Sequence, residues 1–241
     1  MAEPLKSKII AVIPCLDEEQ FIGDIVARTK RHVDRVIVVD DGSSDNTAQV
    51  AKAAGAEVIR HKTRCGPGAA TRSGLEMART SDADVTVTLD GDAQHNPDEI
   101  PRIVKPILRK QADLVIGSRF VKTRDKEPHP RPTHASRMPR YRKLGIDIVT
   151  YLYNVGARMK VSDSQSCFRA YSRRLLEALN VTDDGFGFSI EILVQARKKG
   201  FIFAESPISC IYHSKSSSIH PVTHGIGLVL SVIRHRIRWC S

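Results

Sequence analysis

The sequence is poor in several residue types, and each scarcity excludes a class of protein. Its five cysteines are odd in number, widely scattered and nowhere arranged as CxxC, which argues against a disulfide framework or a structural zinc site and is typical of a reducing compartment. Aromatic residues are only 5% of the chain and leave little for stacking nucleic-acid bases. No GxGxxG turn and no GxxxxGK[ST] segment is complete, so the motifs of dinucleotide-dependent oxidoreductases and P-loop enzymes are missing.

Long hydrophobic runs are also missing. The first residues, MAEPLKSK, carry no apolar core of a secretory signal. The longest apolar stretch near the C-terminus, residues 225–233, is about half of the roughly 20 residues needed to cross a bilayer. The remaining composition, with 41% hydrophobic and 27% charged residues over 241 positions, is that of an ordinary folded domain. We therefore expect a cytoplasmic chain that folds without a membrane span.

Positive charge is in excess, with a formal net charge of +10, and the excess lies in the second half. Residues 119–143 hold nine Lys or Arg against two acidic residues, and none of residues 206–241 is acidic. This pattern predicts an anionic partner: nucleic acid, a phosphorylated substrate or an acidic lipid surface. Residues 221–239 have the pattern of an amphipathic helix that either lies on the cytoplasmic face of a membrane or packs on the core.

Two periodicities alternate over the first 118 residues. Short β-branched apolar runs are typical of buried strands and occupy residues 8–14, 35–39, 56–60, 84–89 and 112–117. Helical spacing separates them at residues 18–31, 44–54, 67–79 and 97–110, with Ser44 as a candidate N-cap and Gly55 as a stop. Strict succession of strand and helix predicts a Rossmann-like α/β fold, a mostly parallel sheet flanked by helices.

The regularity ends after residue 119. Residues 121–139 contain four prolines among basic residues, which predicts a long loop. The pattern then predicts helices over residues 140–158 and 189–199 and strands over 166–171, 201–205 and 208–212. No repeat or linker divides the chain, so one domain with a C-terminal extension is favoured.

Charged residues follow four of the predicted strands, at the ends where parallel sheets bind ligands. Acidic clusters follow the first, second and fourth strands, and Arg119 follows the fifth. Carboxylates brought together repel, and a cation relieves the repulsion. The spacing of Asp90 and Asp92 around Gly91 favours Mg²⁺ or Mn²⁺ with a diphosphate as its partner. Taken singly, Asp92 also fits the role of a helix N-cap and Arg119 that of a surface cation, but the ordered combination favours a functional site.

The motifs that combine in this way are Pro14-x-x-x-Glu18, Asp40-Asp41-Gly42-Ser43, Gly66-x-Gly68-x-Ala70, Asp90-Gly91-Asp92-Ala93-Gln94-His95 and Gly117-Ser118-Arg119-Phe120. Their order resembles family 2 glycosyltransferases with the GT-A fold, and most of all the dolichyl-phosphate mannose synthase and polyprenyl-phosphate glycosyltransferase group. The resemblance covers residues 8–215 and implies a GT-A domain over residues 1–220. Residues 1–118 would be its nucleotide-sugar half, residues 119–220 its acceptor half, and residues 221–241 an amphipathic helix.

The resemblance also implies roles for single residues. The implied nucleotide-sugar-binding residues are Pro14, Glu18, Asp40, Asp41, Asp90, Gly91 and Lys215. The implied ligands of Mg²⁺ or Mn²⁺ are Asp90, Asp92 and Gln94. The implied catalytic residues are Asp92, Arg119 and Arg142, of which Arg142 would face the acceptor phosphate. Cys167 stands where glycine is usual in a D-x-x-S-G-F motif.

The resemblance implies transfer of a hexose from GDP-mannose or UDP-glucose to a polyprenyl or dolichyl phosphate, with inversion and a peripheral membrane contact. A lipid phosphate is already ionised and needs no general base, whereas a saccharide hydroxyl requires a carboxylate. Asp163, Asp184 and Glu191 are the candidates for that alternative. A basic nucleic-acid-binding module would explain the net charge but not the acidic clusters, so no nucleic-acid partner is expected.

Overall fold

The structure, a computed structural model, describes residues 7–121, 138, 140–157 and 159–211. The strands in this part of the chain are β1 (Ile9–Cys15), β2 (Arg35–Asp40), β3 (Glu57–Arg60), β4 (Val85–Thr88), β5 (Leu114–Ser118), β6 (Arg169–Ser172) and β7 (Phe203–Pro207). Together these described strands form a seven-stranded sheet in the order β3-β2-β1-β4-β6-β5-β7. Pairing is parallel except at β6, which is antiparallel to both β4 and β5.

Helices cover both faces of the sheet. They are α1 (Ile22–Thr29), α2 (Thr47–Ala53), α3 (Pro67–Thr80), α4 (Ile100–Leu108), α5 (Arg140–Asn154), α6 (Arg173–Ala178) and α7 (Phe188–Lys198). Side chains alternate along β1, so Ile10 and Val12 pack with α3, α5, α6 and α7, while Ala11 and Ile13 pack with α1, α2 and α4. Full burial of such aliphatic side chains contributes roughly 1.5–3 kcal/mol each. The prediction of a mostly parallel sheet flanked by helices is confirmed.

Several boundaries differ from those predicted. The helix predicted from Ser44 begins at Thr47, because Ser44 instead bonds through its backbone N–H and its hydroxyl to Asp17 Oδ1, at 2.7 and 3.0 Å. The helix predicted from Pro97 starts with a 3-10 turn, Pro97–Glu99, and its cap is Asn96, whose Oδ1 accepts from Asp98 N–H at 3.2 Å. Asp92 is therefore not an N-cap. Helix α6 had no counterpart among the predicted elements.

Residues 208–211, the described part of the strand predicted over 208–212, form no ladder strand. Ile208 N–H donates to the Ser118 carbonyl at 3.0 Å, and Ile211 N–H donates to the Gln94 carbonyl at 3.0 Å. A single antiparallel bridge joins Cys210 to His95. This segment therefore crosses the carboxyl ends of β4 and β5 instead of extending the sheet.

The reversed direction of β6 determines which segments meet at the sheet edge. Because β6 runs antiparallel to its neighbours, it begins where β4 and β5 end, with Arg169 opposite Thr88 and Ile116. Residues 163–168, which lead into β6, therefore arrive beside the residues that follow β4 and β5. The sheet thus brings the second half of the chain to the same edge as the predicted acidic clusters.

Candidate active site

The carboxyl ends of β1, β2, β4 and β5 lie at one edge of the sheet. Cys15 at the end of β1 is in register with Asp40 at the end of β2, and Val12 is in register with Thr88 on β4. Strand β5 points the same way as β4, since both are antiparallel to β6. The prediction that the acidic clusters and Arg119 share one edge is confirmed.

The acidic pair after β2 holds the turns around it. Asp40 is fully buried, and its Oδ1 accepts from Ser43 N–H at 2.8 Å. Asp41 is also buried and accepts from the backbone N–H groups of Cys65 and Gly66, at 2.9 and 2.8 Å. Both carboxylates therefore shape the edge, and their contact with a nucleotide stays a prediction.

At the end of β1, Pro14 is half-buried and in register with Val39. Glu18 follows in the turn before α1, where its backbone N–H donates to Thr47 Oγ1 at 2.8 Å. Burial, together with the negative charges of Asp92 and Asp90, raises the pKa of the Glu18 carboxyl to about 7. The acidic residues that follow β1 and β4 thus act on one another across the edge.

The carboxylates that follow β4, Asp90 and Asp92, are half-buried. Burial raises the pKa of Asp90 to about 6, although the charge of Arg119 acts in the opposite direction. Burial and the charge of Asp90 likewise raise the pKa of Asp92. Gln94 donates to Asp92 twice, from its backbone N–H at 3.0 Å and from its side-chain amide at 2.6 Å. Gln94 therefore orients Asp92, and direct metal ligation by Gln94 stays a prediction.

Gly91 has a structural reason for lacking a side chain. A Cβ atom there would lie 2.9 Å from Cys15 Cβ and 3.4 Å from Ile22 Cδ1. The backbone at Gly91 therefore lies close against the protein's own core, between β1 and α1. This packing fixes the backbone between Asp90 and Asp92.

The donor set after β1 and β4 fits a hard divalent cation. Burial is the largest cause of the raised pKa values of Glu18, Asp90 and Asp92, and repulsion from neighbouring carboxylates adds to it at Glu18 and Asp92. A bound Mg²⁺ or Mn²⁺ favours the charged carboxylates and accepts oxygen ligands from a diphosphate as well. The residues present thus match the metal that the sequence predicts.

His95 is a site residue whose role sequence reasoning missed. It is buried, and its Nδ1 accepts from the backbone N–H of Asp90 at 3.2 Å while its ring packs 5.3 Å from that of Phe168. Burial lowers the pKa of His95 to about 4, so the ring is neutral at pH 7 and can accept this bond. His95 therefore supports the turn that carries Asp90.

Arg119, which follows β5, forms a two-point ion pair. Its Nε lies 2.7 Å from Asp163 Oδ2, and its Nη2 lies 2.8 Å from Asp163 Oδ1. Asp163 is fully buried, and the Arg119 side chain is 14% exposed. Both carboxylate oxygens of Asp163 are thus engaged, which leaves this residue poorly suited to take a proton from a substrate hydroxyl.

The other two candidate general bases are engaged as well. Glu191 is buried and accepts from the N–H groups of Thr182 and Asp183 at 2.9 Å and from the Thr182 hydroxyl at 2.7 Å. Asp184 pairs with Arg72 at 2.7 Å. Among the described residues, each of the three carboxylates considered for a saccharide acceptor therefore has a structural partner.

Cys167 lies at the head of β6, next to the predicted donor site. Its carbonyl accepts from Thr88 Oγ1 at 2.7 Å, and it is absent from the residues with positive φ in the described chain. The backbone here does not require glycine, so a side chain is tolerated. Burial raises the pKa of the Cys167 thiol, and the nearby charge of Asp90 adds to this effect.

Several predicted site residues and segments lie outside the residues that the structure describes. Lys215 and residues 221–241 lie outside the described residues, as does most of the predicted loop over 121–139. Arg142 lies within α5, but its side chain is not among those described. Their assignments stay predictions.

An α/β fold with acidic clusters and a paired arginine at one sheet edge is the arrangement expected of an enzyme that handles a nucleotide diphosphate. Residues 10–179 match the family described as Glycosyl transferase family 2. The chain belongs to this family and is a glycosyltransferase.

Two relatives span most of the chain. The UDP-N-acetylglucosamine–dolichyl-phosphate N-acetylglucosaminyltransferase of Methanococcus voltae is 32% identical over 227 residues, which is 85% of this chain and 86% of the relative. The undecaprenyl-phosphate mannosyltransferase of Micrococcus luteus is 28% identical over 215 residues, which is 85% of this chain and 84% of the relative.

Solved structures share the fold. The glucosyl-3-phosphoglycerate synthase of Mycobacterium tuberculosis, in complex with Mn²⁺, UDP-glucose and phosphoglyceric acid, superposes with a TM-score of 0.73 and 22% identity, over 95% of this chain and 79% of that one. At this identity the likeness speaks for the fold alone, which is GT-A as predicted. No helix of the described residues has the length and apolarity required to span a membrane.

Proposed function

We propose that this glycosyltransferase moves a hexose from a nucleotide-sugar, GDP-mannose or UDP-glucose, to a polyprenyl or dolichyl phosphate, with inversion and with Mg²⁺ or Mn²⁺. The relatives from Methanococcus voltae and Micrococcus luteus are named for lipid-phosphate acceptors. The observation that carries the proposal is the burial of Asp163 and Glu191, whose carboxylate oxygens are bonded within the fold. Asp184 is 60% exposed and pairs with Arg72 at the surface. An acceptor that arrives ionised needs no such base.

Asp90 and Asp92 would hold the cation, with Gln94 orienting Asp92 through two hydrogen bonds. When bound, the cation neutralises charge that develops on the departing diphosphate. Pro14, Glu18, Asp40, Asp41 and Gly91 would form the nucleotide-sugar pocket, with Lys215 closing it.

Arg119 would stabilise charge on the reacting phosphates. Its two bonds to buried Asp163 fix the plane of the guanidinium, so little rotamer freedom is lost when an anion binds. The charge of Arg119 is felt at Asp90, which supports a position between donor and acceptor. Arg142 would bind the lipid phosphate.

A membrane contact is proposed for α5. Large apolar side chains on this helix and directly after it are solvent-exposed, and they recur every three or four residues. They are Tyr141 (54%), Leu144 (60%), Ile148 (45%) and Tyr151 (70%) on α5, and Val155 (43%) one residue beyond its end. At about 100° per residue they share one face of the helix. In the sequence, residues 119–143 lead into this helix and form its start, and they include nine basic residues. An exposed apolar helix face together with a cationic stretch of sequence suits an anionic lipid surface, where the proposed acceptor would reside.

Transfer assays test the proposal. The protein is incubated with GDP-mannose or UDP-glucose, Mg²⁺ or Mn²⁺, and either polyprenyl phosphate or a free oligosaccharide, and sugar transfer is measured. We expect glycolipid with at least one donor, loss of product with a chelator, and at least about a 100-fold loss in Asp92→Asn. Asp24→Asn, which alters an exposed aspartate on α1, is the matched control. Product on the oligosaccharide and none on the lipid would overturn the acceptor assignment.

A further inference from the structure

A second group of potential metal ligands includes Asp41, which also belongs to the predicted nucleotide pocket. Among the described residues, Asp41, His61 and Cys65 place one ligand atom each within 4.8 Å of the others. Asp41 follows β2, and His61 and Cys65 belong to the loop between β3 and α3. These residues are distinct from Asp90 and Asp92, which follow β4.

The cluster is built into the loop. Cys65 N–H donates to Asp41 Oδ1 at 2.9 Å, and Gly66 N–H donates to Asp41 Oδ2 at 2.8 Å. Gly42, with φ of +79°, packs so tightly on this loop that a Cβ atom would lie 2.8 Å from Arg64 N. The loop that carries Cys65 is therefore held against the residue that supplies the carboxylate.

The imidazole is already directed at that carboxylate. His61 Nδ1 lies 2.8 Å from Asp41 Oδ1, and His61 Nε2 lies 3.0 Å from Ser73 Oγ. The ring thus has one nitrogen toward Asp41 and the other toward a hydroxyl. A polar partner on the second nitrogen is the usual arrangement for a histidine that ligates a metal through the first.

The mixture of ligands selects the type of ion. A thiolate, an imidazole and a carboxylate suit Zn²⁺ and related borderline cations, whereas Mg²⁺ and Mn²⁺ favour all-oxygen sites. Ligand atoms around a tetrahedral Zn²⁺ are roughly 3.5 Å apart, so the cluster must contract. The exposed Cys65 side chain, whose thiol donates to the Thr63 carbonyl at 3.2 Å, can supply that movement by rotating.

We propose that Asp41, His61 and Cys65 bind a zinc-class divalent cation, with a fourth position open to water. Such an ion would tie the end of β2 to the loop before α3. This cross-link would lie at the edge of the sheet where the nucleotide is proposed to bind, and its ion would be distinct from the cation proposed at Asp90 and Asp92. The proposal does not depend on which donor or acceptor the enzyme uses.

Cobalt is the probe that separates the two sites, because a thiolate bound to Co²⁺ gives an intense near-ultraviolet charge-transfer band and an all-oxygen site does not. The reduced full-length protein is titrated with Co²⁺ in excess Mg²⁺. We expect a band that saturates at one equivalent and is lost in Cys65→Ser, with His61→Gln binding at least about 10- to 100-fold more weakly. Zn²⁺ should also raise the melting temperature of the wild type but not of Cys65→Ser.

Cys240→Ser is the matched control, since it removes a thiol that follows the histidines of residues 213–235 in the sequence, outside the described part of the chain. We expect it to keep the full band. A band that persists in Cys65→Ser, a band lost in Cys240→Ser, or no band in the wild type would overturn the proposal. Glycolipid synthesis in Mg²⁺ is measured separately, so either result leaves the test of the proposed function unaffected.

Discussion

The Arg119 guanidinium and the Asp163 carboxylate meet through two parallel bonds, at 2.7 and 2.8 Å, and the carboxylate is completely buried. Because removal of one partner leaves the other buried and unpaired, we expect Arg119→Ala and Asp163→Ala each to lower the free energy of unfolding by about 3–5 kcal/mol. The double variant should be less destabilised than the sum of the two. Urea denaturation of all four proteins measures this coupling.

The surface pair Arg173–Asp82 is the control for that cycle. Its side chains are 40% and 81% exposed, so the coupling there should stay below about 1 kcal/mol. Equal coupling for the two pairs would contradict the view that Asp163 holds Arg119 in place.

Two glycines should respond in opposite directions to the same substitution. At Gly68 a Cβ atom would lie 2.0 Å from the Asp183 carbonyl oxygen and 2.8 Å from that of Gly185, so Gly68→Ala must displace this loop and should cost about 1–3 kcal/mol of stability. At Gly145, inside α5, nothing lies within 4 Å, so Gly145→Ala should add about 0.5–1 kcal/mol. Chemical denaturation compares them, and a neutral Gly68→Ala would contradict the close packing of α3 on residues 183–185.

Asp113 should make the free energy of unfolding depend on pH in the acid range. Burial alone would raise its pKa, but the bonds from Ile202 N–H at 3.0 Å and from Arg174 at 2.8 Å outweigh burial and lower it. A lowered pKa in the folded state gives stability that is present above the ordinary aspartate pKa and is lost as the pH falls through the folded value. Asp113→Asn should therefore cost roughly 1.5 kcal/mol at neutral pH.

That cost should shrink toward zero at acid pH, as the pH falls through the lowered folded pKa and the wild-type carboxyl gains its proton. Unfolding curves at both pH values measure the difference. Asp24→Asn, on the exposed side of α1, should change stability by less than about 0.5 kcal/mol throughout. A cost at Asp113 that is the same at both pH values would argue against its ionised bonds as the cause.

The exposed face of α5 should govern binding to vesicles. Leu144→Glu and Ile148→Glu remove apolar area and add negative charge, so each should weaken cosedimentation with anionic vesicles by about tenfold or more. Ile202→Glu makes the same change at a side chain 51% exposed, outside α5, and should bind as the wild type does. Equal loss in all three variants would point to a general charge effect and not to α5.

Local patterning was enough to predict β1 to β5 and the helices between them, because buried parallel strands are continuous apolar runs with clear stops. It also placed Asp90, Asp92 and Arg119 at one edge. The place of β6 between β4 and β5 depends on pairing between segments more than fifty residues apart in sequence, which no local pattern encodes. The Arg119–Asp163 pair was missed because its partners lie 44 residues apart in sequence. The support of Asp90 by His95 is a contact over five residues that the apolar pattern did not indicate.

Two smaller errors concern Ser44 and the strand predicted over residues 208–212. Ser44 reads as an N-cap, yet its hydroxyl is bonded to Asp17, a residue brought near by the pairing of β1 with β2. The strand expected at 208–212 has suitable residues, but its described part is bonded to Ser118 and Gln94 across the sheet edge. In both cases a long-range partner prevailed over local propensity.

Strand β5 is held in the described sheet by β6 and β7, although it closes the half of the chain that carries the acidic clusters. The boundary at residue 118 therefore separates two contributions to one sheet and not two autonomous modules. A fragment ending there would leave β5 without its ladder and β4 with a bare edge toward water. Swapping acceptor halves between relatives would require exchanging β5 together with β6 and β7, so recombination is better made ahead of residue 112 than after residue 118.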